Sequence, residues 1–323
     1  MNNILVTGCC GFIGFHLVNK LFKSKRNHNI FGIDNINNYY DINLKKKRLS
    51  ILKENKKFIF NKIDIKNYKS LDNYFKKNNI NYIIHLAAQA GVRFSISNPD
   101  EYFDNNILGF YNILKISKKY NIKHLAYAST SSVYGLAKKF PLIENMNTDK
   151  PQSFYAASKK TNEIMAYSFS SIYKVPTTGL RFFTVYGPYG RPDMSLFKFT
   201  KGIIEGNNIN LFNKGNHVRD FTYVEDIVNF INKIIGKPPN SKIPYEIFNL
   251  SSNKPQELKY FLSLIEKFLG KKAKIKKLPM QIGDVHKTHG NSSKIIKKTK
   301  YYPKTKIQEG INKFINWYKK FYL

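Results

Sequence analysis

The sequence has few cysteines and no long uninterrupted apolar run. Its two cysteines, Cys9 and Cys10, are adjacent among 323 residues. Adjacent cysteines rarely form a structural disulfide and lack zinc-ligand spacing, so no disulfide framework is predicted and a reducing cytoplasm is the expected compartment. None of the seven histidines stands in a metal-binding pattern, so no metal site is predicted. Because no apolar stretch reaches about 18 residues, neither a membrane-spanning segment nor a membrane partner is predicted.

Acidic residues are also scarce. The chain carries 54 Lys and Arg against 21 Asp and Glu, a formal charge of +33 that is typical of nucleic-acid-binding proteins. The lysines are scattered along the whole chain and accompany heavy use of Asn, Ile, Tyr and Phe, all of which have A/T-rich codons. Genome composition explains this set without a partner, and no recognition helix, zinc motif or aromatic platform accompanies the charge. We therefore expect no nucleic-acid partner, although a basic RNA-binding protein remains the non-enzymatic alternative.

The remaining composition is that of a globular protein, with 42% hydrophobic and 15% aromatic residues. Short β-branched or apolar runs alternate with longer amphipathic stretches, which predicts an α/β fold with a doubly wound parallel sheet of the Rossmann type. Strands are predicted at 3–7, 30–34, 58–61, 82–86, 124–128 and 177–183, and helices at 12–22, 71–77, 106–120, 153–173, 224–235, 256–269 and 306–321. We expect a Rossmann domain over 1–175 and a smaller, mainly substrate-binding C-terminal lobe over 176–323, interwoven with it.

A glycine-rich loop follows the first predicted strand and leads into the first predicted helix. Gly8, Gly11 and Gly14 allow a tight turn, close approach of a pyrophosphate to backbone N–H groups, and packing of the helix on the sheet. Asp34 ends the second strand, where a carboxylate accepts hydrogen bonds from ribose hydroxyls and repels a 2′-phosphate, so NAD is favoured over NADP. A plain turn residue is the alternative role for Asp34. Asp64 is a candidate for the adenine edge, with a helix N-cap as its alternative.

Tyr155 and Lys159 are spaced one helical turn apart. On a helix, side chains at i and i+4 share a face, so the Lys159 ammonium can lie beside the Tyr155 phenol and favour its phenolate. A phenol with its pKa lowered by a cation can serve as a general base. Taken alone, the spacing also fits an ordinary amphipathic helix.

The chain resembles the extended short-chain dehydrogenase/reductases and, within them, the UDP-glucuronate 4-epimerases. The resemblance covers almost the whole chain. It rests on segments 8–17, 34–35 with 38–41, 85–93, 129–135, 155–159, 181–191 and 219–221.

The resemblance implies a catalytic group and an NAD site. Tyr155 would be the catalytic base, Lys159 its partner and a ligand of the nicotinamide ribose, and Thr130 the residue that hydrogen-bonds the 4-oxygen of the sugar. The implied NAD contacts are Gly8, Gly11, Phe12, Ile13, Gly14, Asp34, Asn35, Asp64, Ile65, Leu86, Ala87, Ala88, Gln89, Asn106, Tyr155 and Lys159.

It also implies a UDP-sugar site. Arg191 would hold a sugar carboxylate and Arg219 the diphosphate. Thr184 stands where glucose epimerases generally have Asn, and Asp284 matches a position near the uridine ribose. Arg93, Thr130, Ser131 and Ser132 complete the implied substrate set, although Arg93 and Arg191 could each be surface residues beside a turn.

The residues after Thr130 separate reactions among these enzymes. Dehydratases carry Asp and Glu where this chain has Ser131 and Ser132, and decarboxylases typically carry Glu at the second position. The resemblance therefore implies a 4-epimerase acting through a 4-keto intermediate, and a homodimer packed through the helices at 106–120 and 153–173. Alternatives are a UDP-glucose or UDP-N-acetylglucosamine 4-epimerase, a UDP-glucuronate decarboxylase, or a non-catalytic NAD-binding protein.

Overall fold

A computed structural model describes residues 2–24 and 28–323. Its strands are β1 (Asn2–Thr7), β2 (His28–Asp34), β3 (Phe58–Lys62), β4 (Tyr82–His85), β5 (His124–Thr130), β6 (Thr177–Phe182), β7 (Thr184–Tyr186), β8 (Asn208–Leu211), β9 (Val218–Arg219), β10 (Phe221–Tyr223), β11 (Tyr245–Leu250), β12 (Gln256–Glu257) and β13 (Lys274–Lys277).

The α-helices are α1 (Phe12–Phe22), α2 (Ile42–Lys53), α3 (Tyr68–Lys77), α4 (Phe94–Ser97), α5 (Pro99–Tyr102), α6 (Gly109–Lys119), α7 (Phe154–Tyr173), α8 (Ser195–Glu205), α9 (Val224–Ile234), α10 (Leu258–Leu269), α11 (Ser293–Thr299) and α12 (Ile307–Tyr322). A π-helical segment, Phe103–Leu108, runs directly into α6, and 3₁₀ segments lie at Ser131–Tyr134 and Phe212–Gly215.

The central sheet has seven parallel strands in the order β11-β6-β5-β4-β1-β2-β3. Strands that are covered on both faces have continuous apolar sequences, and β1 accordingly buries Ile4, Leu5 and Val6. The strand order reverses between β1 and β4, where the connections leave in opposite directions and open a crevice at the carboxyl edge. Such a switch point is where open α/β sheets bind ligands. The predicted Rossmann-type fold is confirmed.

Two apolar layers cover the sheet and a third core lies in the C-terminal half. One layer includes α1 and α9, and the other includes α3, α6 and α7. The third core is built from α8, α10 and α12, and in it the rings of Phe221 and Phe261 stack with centroids 4.0 Å apart. This core positions β9 and β10, which carry Arg219 and its neighbours to the carboxyl edge.

Many observed elements were not predicted, among them α4, α5, α8, α11 and every strand after β6, and some predicted boundaries differ. The helix at 12–22 is confirmed at both ends, whereas α2 was not predicted because its lysine-rich sequence gives a weak apolar stripe. Helix α10 begins at Leu258 rather than at 256, because Gln256 pairs with Arg219 in a two-residue ladder. Strands β6 and β11 lie beyond residue 175 yet join the main sheet, so the two predicted parts share one sheet. In the described part of the chain, no helix has the length and apolarity needed to cross a membrane.

Candidate active site

A cavity of about 420 Å³ lies at the carboxyl edge of the sheet, over the switch point. Most of the residues predicted from sequence line it. These are Gly8, Gly11, Phe12, Ile13, Gly14, Asp34, Asn35, Ile65, Leu86, Ala87, Ala88, Gln89, Thr130, Ser131, Ser132, Tyr155, Lys159, Thr184, Arg191, Arg219 and Asp284. Asp64, Asn106 and Arg93 do not line the wall.

The glycine loop brings the backbone of β1 against that of β4. Gly8 has a φ of +69°, and a Cβ there would lie 2.7 Å from the Ala87 nitrogen. A Cβ on Gly14 would collide with the Gly8 carbonyl oxygen. Helix α1 starts after Gly11, which offers no capping side chain, so the first N–H groups of the helix are left for a ligand. The loop therefore has the shape and donors of an anion cradle.

Asp34 lies at the far end of this loop. Its carboxylate accepts hydrogen bonds from the backbone nitrogens of Cys10 (3.0 Å) and Ile36 (2.8 Å). Burial raises the pKa of Asp34, while those hydrogen bonds and Lys45 oppose the rise. Each oxygen uses one lone pair on the protein, which leaves acceptor capacity towards the cavity.

Asn35 and Asp64 form a pair beside Asp34. The Asn35 amide donates to an oxygen of Asp64 at 3.2 Å, and the other oxygen accepts from the Lys66 backbone nitrogen. The alternative that Asp64 caps a helix is wrong, because Asn67 caps α3. Asp64 thus orients Asn35, which does line the cavity.

Tyr155 and Lys159 lie on the first turns of α7, whose N-terminus Ser153 caps. Lys159 is buried and donates to the Ala128 carbonyl oxygen at 3.0 Å, and burial lowers its pKa to about 7. Burial also raises the pKa of Tyr155, opposed by a hydrogen bond with Thr130 and by the charge of Arg191. The structure does not support the expectation that Lys159 lowers the pKa of Tyr155. Desolvation raises this pKa, and the groups that act against the rise are Thr130 and Arg191.

Thr130 ends β5 and caps the 3₁₀ segment that carries Ser131 and Ser132. Its hydroxyl accepts from the Ser132 backbone nitrogen and donates to the Ser132 hydroxyl, both at 3.2 Å. The Ser129 hydroxyl is instead engaged with the buried carboxylate of Glu163, to which it donates at 2.6 Å. The hydroxyl-bearing residues Thr130, Ser131 and Ser132 therefore line the cavity, whereas the Ser129 hydroxyl is held by Glu163.

Asn106 supports the cavity wall at Gln89 from behind. Its side chain accepts from the Gln89 nitrogen (2.8 Å) and donates to the Gln89 carbonyl (2.9 Å) and to the Ser158 hydroxyl (3.0 Å). Ser158 directly precedes Lys159 on α7. Asn106 thus ties the segment after β4 to the helix that carries Tyr155 and Lys159, and its predicted role towards the cofactor stays a prediction.

Arg191 lines the cavity and is held by a carboxylate of the protein. Its Nε donates to one oxygen of Asp193 at 2.9 Å and its Nη2 to the other at 2.5 Å. The Tyr39 hydroxyl, which also lines the cavity, donates to Asp193 at 3.2 Å. The sequence predicted Arg191 but neither partner.

Arg219 and Asp284 also meet. The Arg219 Nη2 donates to Asp284 at 2.8 Å, and its Nη1 donates to the carbonyls of Val218 and His286, each at 3.0 Å. Arg93 is exposed, and its guanidinium lies over the Phe212 ring at 4.7 Å from the centroid. Because Arg93 lies outside the cavity wall, its contact with substrate stays a prediction.

Comparisons with known proteins show the family of this chain. Residues 4–251 match the NAD dependent epimerase/dehydratase family. The chain belongs to this family. It is 48% identical to Protein CapI of Staphylococcus aureus, over 99% of each chain, and 40% identical to a probable UDP-glucuronate 4-epimerase of Rhizobium meliloti, over 97% of this chain and 96% of that one. A crystal structure of UDP-glucuronic acid 4-epimerase from Bacillus cereus, in complex with UDP-glucuronic acid and NAD, superimposes with a TM-score of 0.93 at 30% identity, covering 99% of this chain and 100% of that one.

Sequence reasoning missed two basic residues of this epimerase-family chain, both on α2. Lys45 lines the cavity near Asp34, is buried, and donates to the Asn37 carbonyl at 2.7 Å. Arg48 is fully buried and donates to the carbonyls of Cys10 (2.9 Å) and Tyr189 (2.7 Å). Both lie in a run of basic residues whose charge the composition explained, so no local signal distinguished them.

Cys9 and Cys10 belong to the glycine loop of this family member, and both side chains are buried. Their thiols and the Asp34 carboxylate come within 4.8 Å of one another, which is close enough for a shared metal ion. Burial raises the pKa of the Cys9 thiol well above its usual range, so this thiol stays protonated at neutral pH. A neutral thiol is a poor metal ligand, so this group does not have the chemistry of a metal site.

Proposed function

We propose that this chain is a UDP-glucuronate 4-epimerase that interconverts UDP-glucuronate and UDP-galacturonate through a 4-keto intermediate, with NAD as its cofactor. The observation that carries the proposal is the grouping of Tyr155 and Thr130 in one cavity with Arg191, while serines stand at 131 and 132. The Rhizobium meliloti relative and the Bacillus cereus structure, each named for this activity, support it.

The residues of the cavity fit NAD. A Cβ on Gly8 would occupy the space against Ala87, and the uncapped start of α1 offers N–H groups to a pyrophosphate. Asp34 retains acceptor capacity for ribose hydroxyls and would repel a 2′-phosphate. When bound, NAD supplies a hydride acceptor that returns the hydride in the same turnover, so no net redox change occurs.

The protein's own groups handle the proton. The Thr130 hydroxyl lines the same cavity as Tyr155 and can orient the sugar's 4-oxygen beside the phenol. Tyr155 takes the proton from the 4-hydroxyl as the C4–H bond breaks and returns it when the ketone is reduced. Thr130 and the Arg191 charge favour the phenolate against the desolvation that disfavours it.

The polar groups around this pair favour epimerisation over related reactions. Dehydration requires an additional acid and base next to the sugar, and Ser131 and Ser132 supply neither. A glucuronate oxidised at C4 is a β-keto acid that can lose its carboxylate. Arg191 offers a guanidinium to that carboxylate, which holds the carboxylate in a polar contact and disfavours its loss.

A direct test is to incubate the purified protein with UDP-glucuronate and follow the sugar by NMR. The expected result is equilibration with UDP-galacturonate, with no loss of carbon dioxide. Formation of a UDP-pentose would assign a decarboxylase instead, and turnover of UDP-glucose or UDP-N-acetylglucosamine alone would assign a neutral-sugar epimerase. A Tyr155→Phe variant should retain NAD and lose turnover.

The proposal extends to assembly and location. Helices α6 and α7 and the segment before α6 expose apolar side chains: Leu108, Tyr111, Ile164, Tyr167 and Ile172 are 40%, 41%, 58%, 48% and 64% exposed. Such a face supports a homodimer packed through these helices, which light scattering of the purified protein would test. The two unbonded cysteines support a cytoplasmic location, and the product would supply polysaccharide synthesis.

A further inference from the structure

The carboxylate of Asp193 occupies the part of Arg191 that recognises carboxylates best. Guanidinium and carboxylate pair most strongly through two parallel hydrogen bonds, and Nε and Nη2 of Arg191 make that pair with Asp193. Asp193 itself is not part of the cavity wall, whereas Arg191 is. A substrate carboxylate that reaches Arg191 must use the remaining arm or compete with Asp193.

An epimerase must bind the sugar through contacts that can break during turnover. The 4-keto sugar must turn so that its other face meets the hydride donor, and any group fixed to the sugar's carboxylate must break and re-form contact during that turn. A free Arg191 would offer a bidentate, charge-assisted pair, which is strong and geometrically fixed. An Arg191 guanidinium whose charge is already neutralised by Asp193 makes a weaker contact with the sugar's carboxylate.

We propose that Asp193 is a specificity and positioning residue that weakens the grip of Arg191 on the substrate carboxylate, so that the keto sugar can turn. This inference rests on the proposed function. The Tyr39 hydroxyl donates at 3.2 Å to the same Asp193 oxygen as Nη2, and the Asp193 side chain is only 27% exposed, so water screens the pair incompletely. Arg191 and Asp193 are linked by the single residue Pro192, which limits how far they can separate.

The charges around the pair favour this arrangement. Burial acts to raise the pKa of the Asp193 carboxyl, but the adjacent Arg191 charge outweighs it and holds that pKa below its usual value. Asp193 is therefore an anion at neutral pH. Without it, the guanidinium would face the cavity with a full, partly desolvated charge. Binding of an acidic sugar would then tighten, and the same tightening would oppose rotation.

The test compares binding with turnover in Asp193→Asn. Affinities for UDP-glucuronate, UDP-galacturonate and UDP are measured by calorimetry in a Tyr155→Phe background, which removes turnover, with and without Asp193→Asn. We expect both acidic sugars to bind about 3- to 10-fold more tightly and UDP to bind unchanged. In the single variant with Tyr155 intact, kcat should fall about 10-fold or more while KM also falls. Glu205→Gln, which removes one charge from an exposed pair with Lys201, is the control and should change neither.

The opposite results separate the possible failures. Weaker binding of the acidic sugars, or a fall in kcat with KM unchanged, would overturn the role of Asp193. Asp193→Glu keeps the charge and should preserve kcat. Loss of kcat in Asp193→Glu would contradict a role that depends on charge. This variant therefore tests the inference even if Asp193→Asn fails to fold. If the unmodified protein does not convert UDP-glucuronate at all, the proposed function fails instead.

Discussion

Replacing Arg48 with methionine tests how the two sides of the active site are joined. Arg48 reaches from α2 to the Cys10 carbonyl in the glycine loop and to the Tyr189 carbonyl in the loop that carries Arg191. Tyr189 has a φ of +54°, a conformation that a non-glycine residue adopts only when its surroundings hold it. Methionine keeps most of the apolar stem but cannot donate, so both carbonyls lose a partner.

The magnitude follows from those two carbonyls. A buried acceptor without a partner costs about 1–3 kcal/mol, so the two together cost roughly 2–6 kcal/mol. Removal of a buried charge offsets part of this, and we expect a net loss of about 3 kcal/mol. Against a typical stability of about 5–15 kcal/mol, that loss is large. Because Cys10 belongs to the glycine loop that is proposed to hold NAD, NAD retention should fall with it.

The assay is thermal unfolding together with the NAD content of the purified protein. Lys46→Met is the matched control, since Lys46 is exposed on the same helix and carries the same charge; it should stay within about 0.5 kcal/mol of the parent. A loss below about 1 kcal/mol for Arg48→Met with full NAD content would refute the reasoning, because it would mean that water replaces the guanidinium at both carbonyls.

Three further predictions concern the same scaffold. Gly8→Ala should abolish NAD retention, because the added Cβ would lie 2.7 Å from the Ala87 nitrogen. Gly206 has a similar φ but open space around it, so Gly206→Ala should cost only about 1 kcal/mol of strain and keep NAD. Lys159→Met should raise the melting temperature most at low pH, because burial lowers the Lys159 pKa from 10.5 to about 7. The cost of the buried charge is fully present below pH 7 and is relieved as the pH rises towards 10.5. A difference in melting temperature that does not vary with pH would contradict this. Glu163→Leu should cost about 3–5 kcal/mol because it leaves Arg181 charged and unpaired in the core, which unfolding measurements can set against the small effect of Glu205→Gln.

Local sequence signals located the glycine loop and the helix that carries Tyr155 and Lys159. The spacing of Gly8, Gly11 and Gly14 is dictated by backbone contacts between neighbouring segments, so it can be read from the sequence itself. Tyr155 and Lys159 share a helix whose cap, Ser153, lies two residues before Tyr155. Features that depend on few neighbouring residues were therefore predictable.

Features that depend on distant partners were not. Arg48 acquires its role from Tyr189, which is 141 residues away, and nothing in the basic sequence around it marks that contact. The pKa of Tyr155 depends on how deeply α7 is buried, and the spacing to Lys159 does not report burial. The pairing of Arg191 with Asp193 is close in sequence, but only the loop conformation brings their side chains together.

The shared sheet has a consequence for how this chain folds as it is synthesised. Strand β11 completes the sheet by pairing with β6, and its last residue is Leu250. Until Tyr245–Leu250 has left the ribosome, β6 is an unpaired edge, which is a template for pairing with other chains. A nascent or truncated chain that ends before residue 245 therefore has the whole glycine loop but exposes the otherwise buried strand β6 as its edge, and its hazard is aggregation rather than a lack of the residues proposed to bind the cofactor.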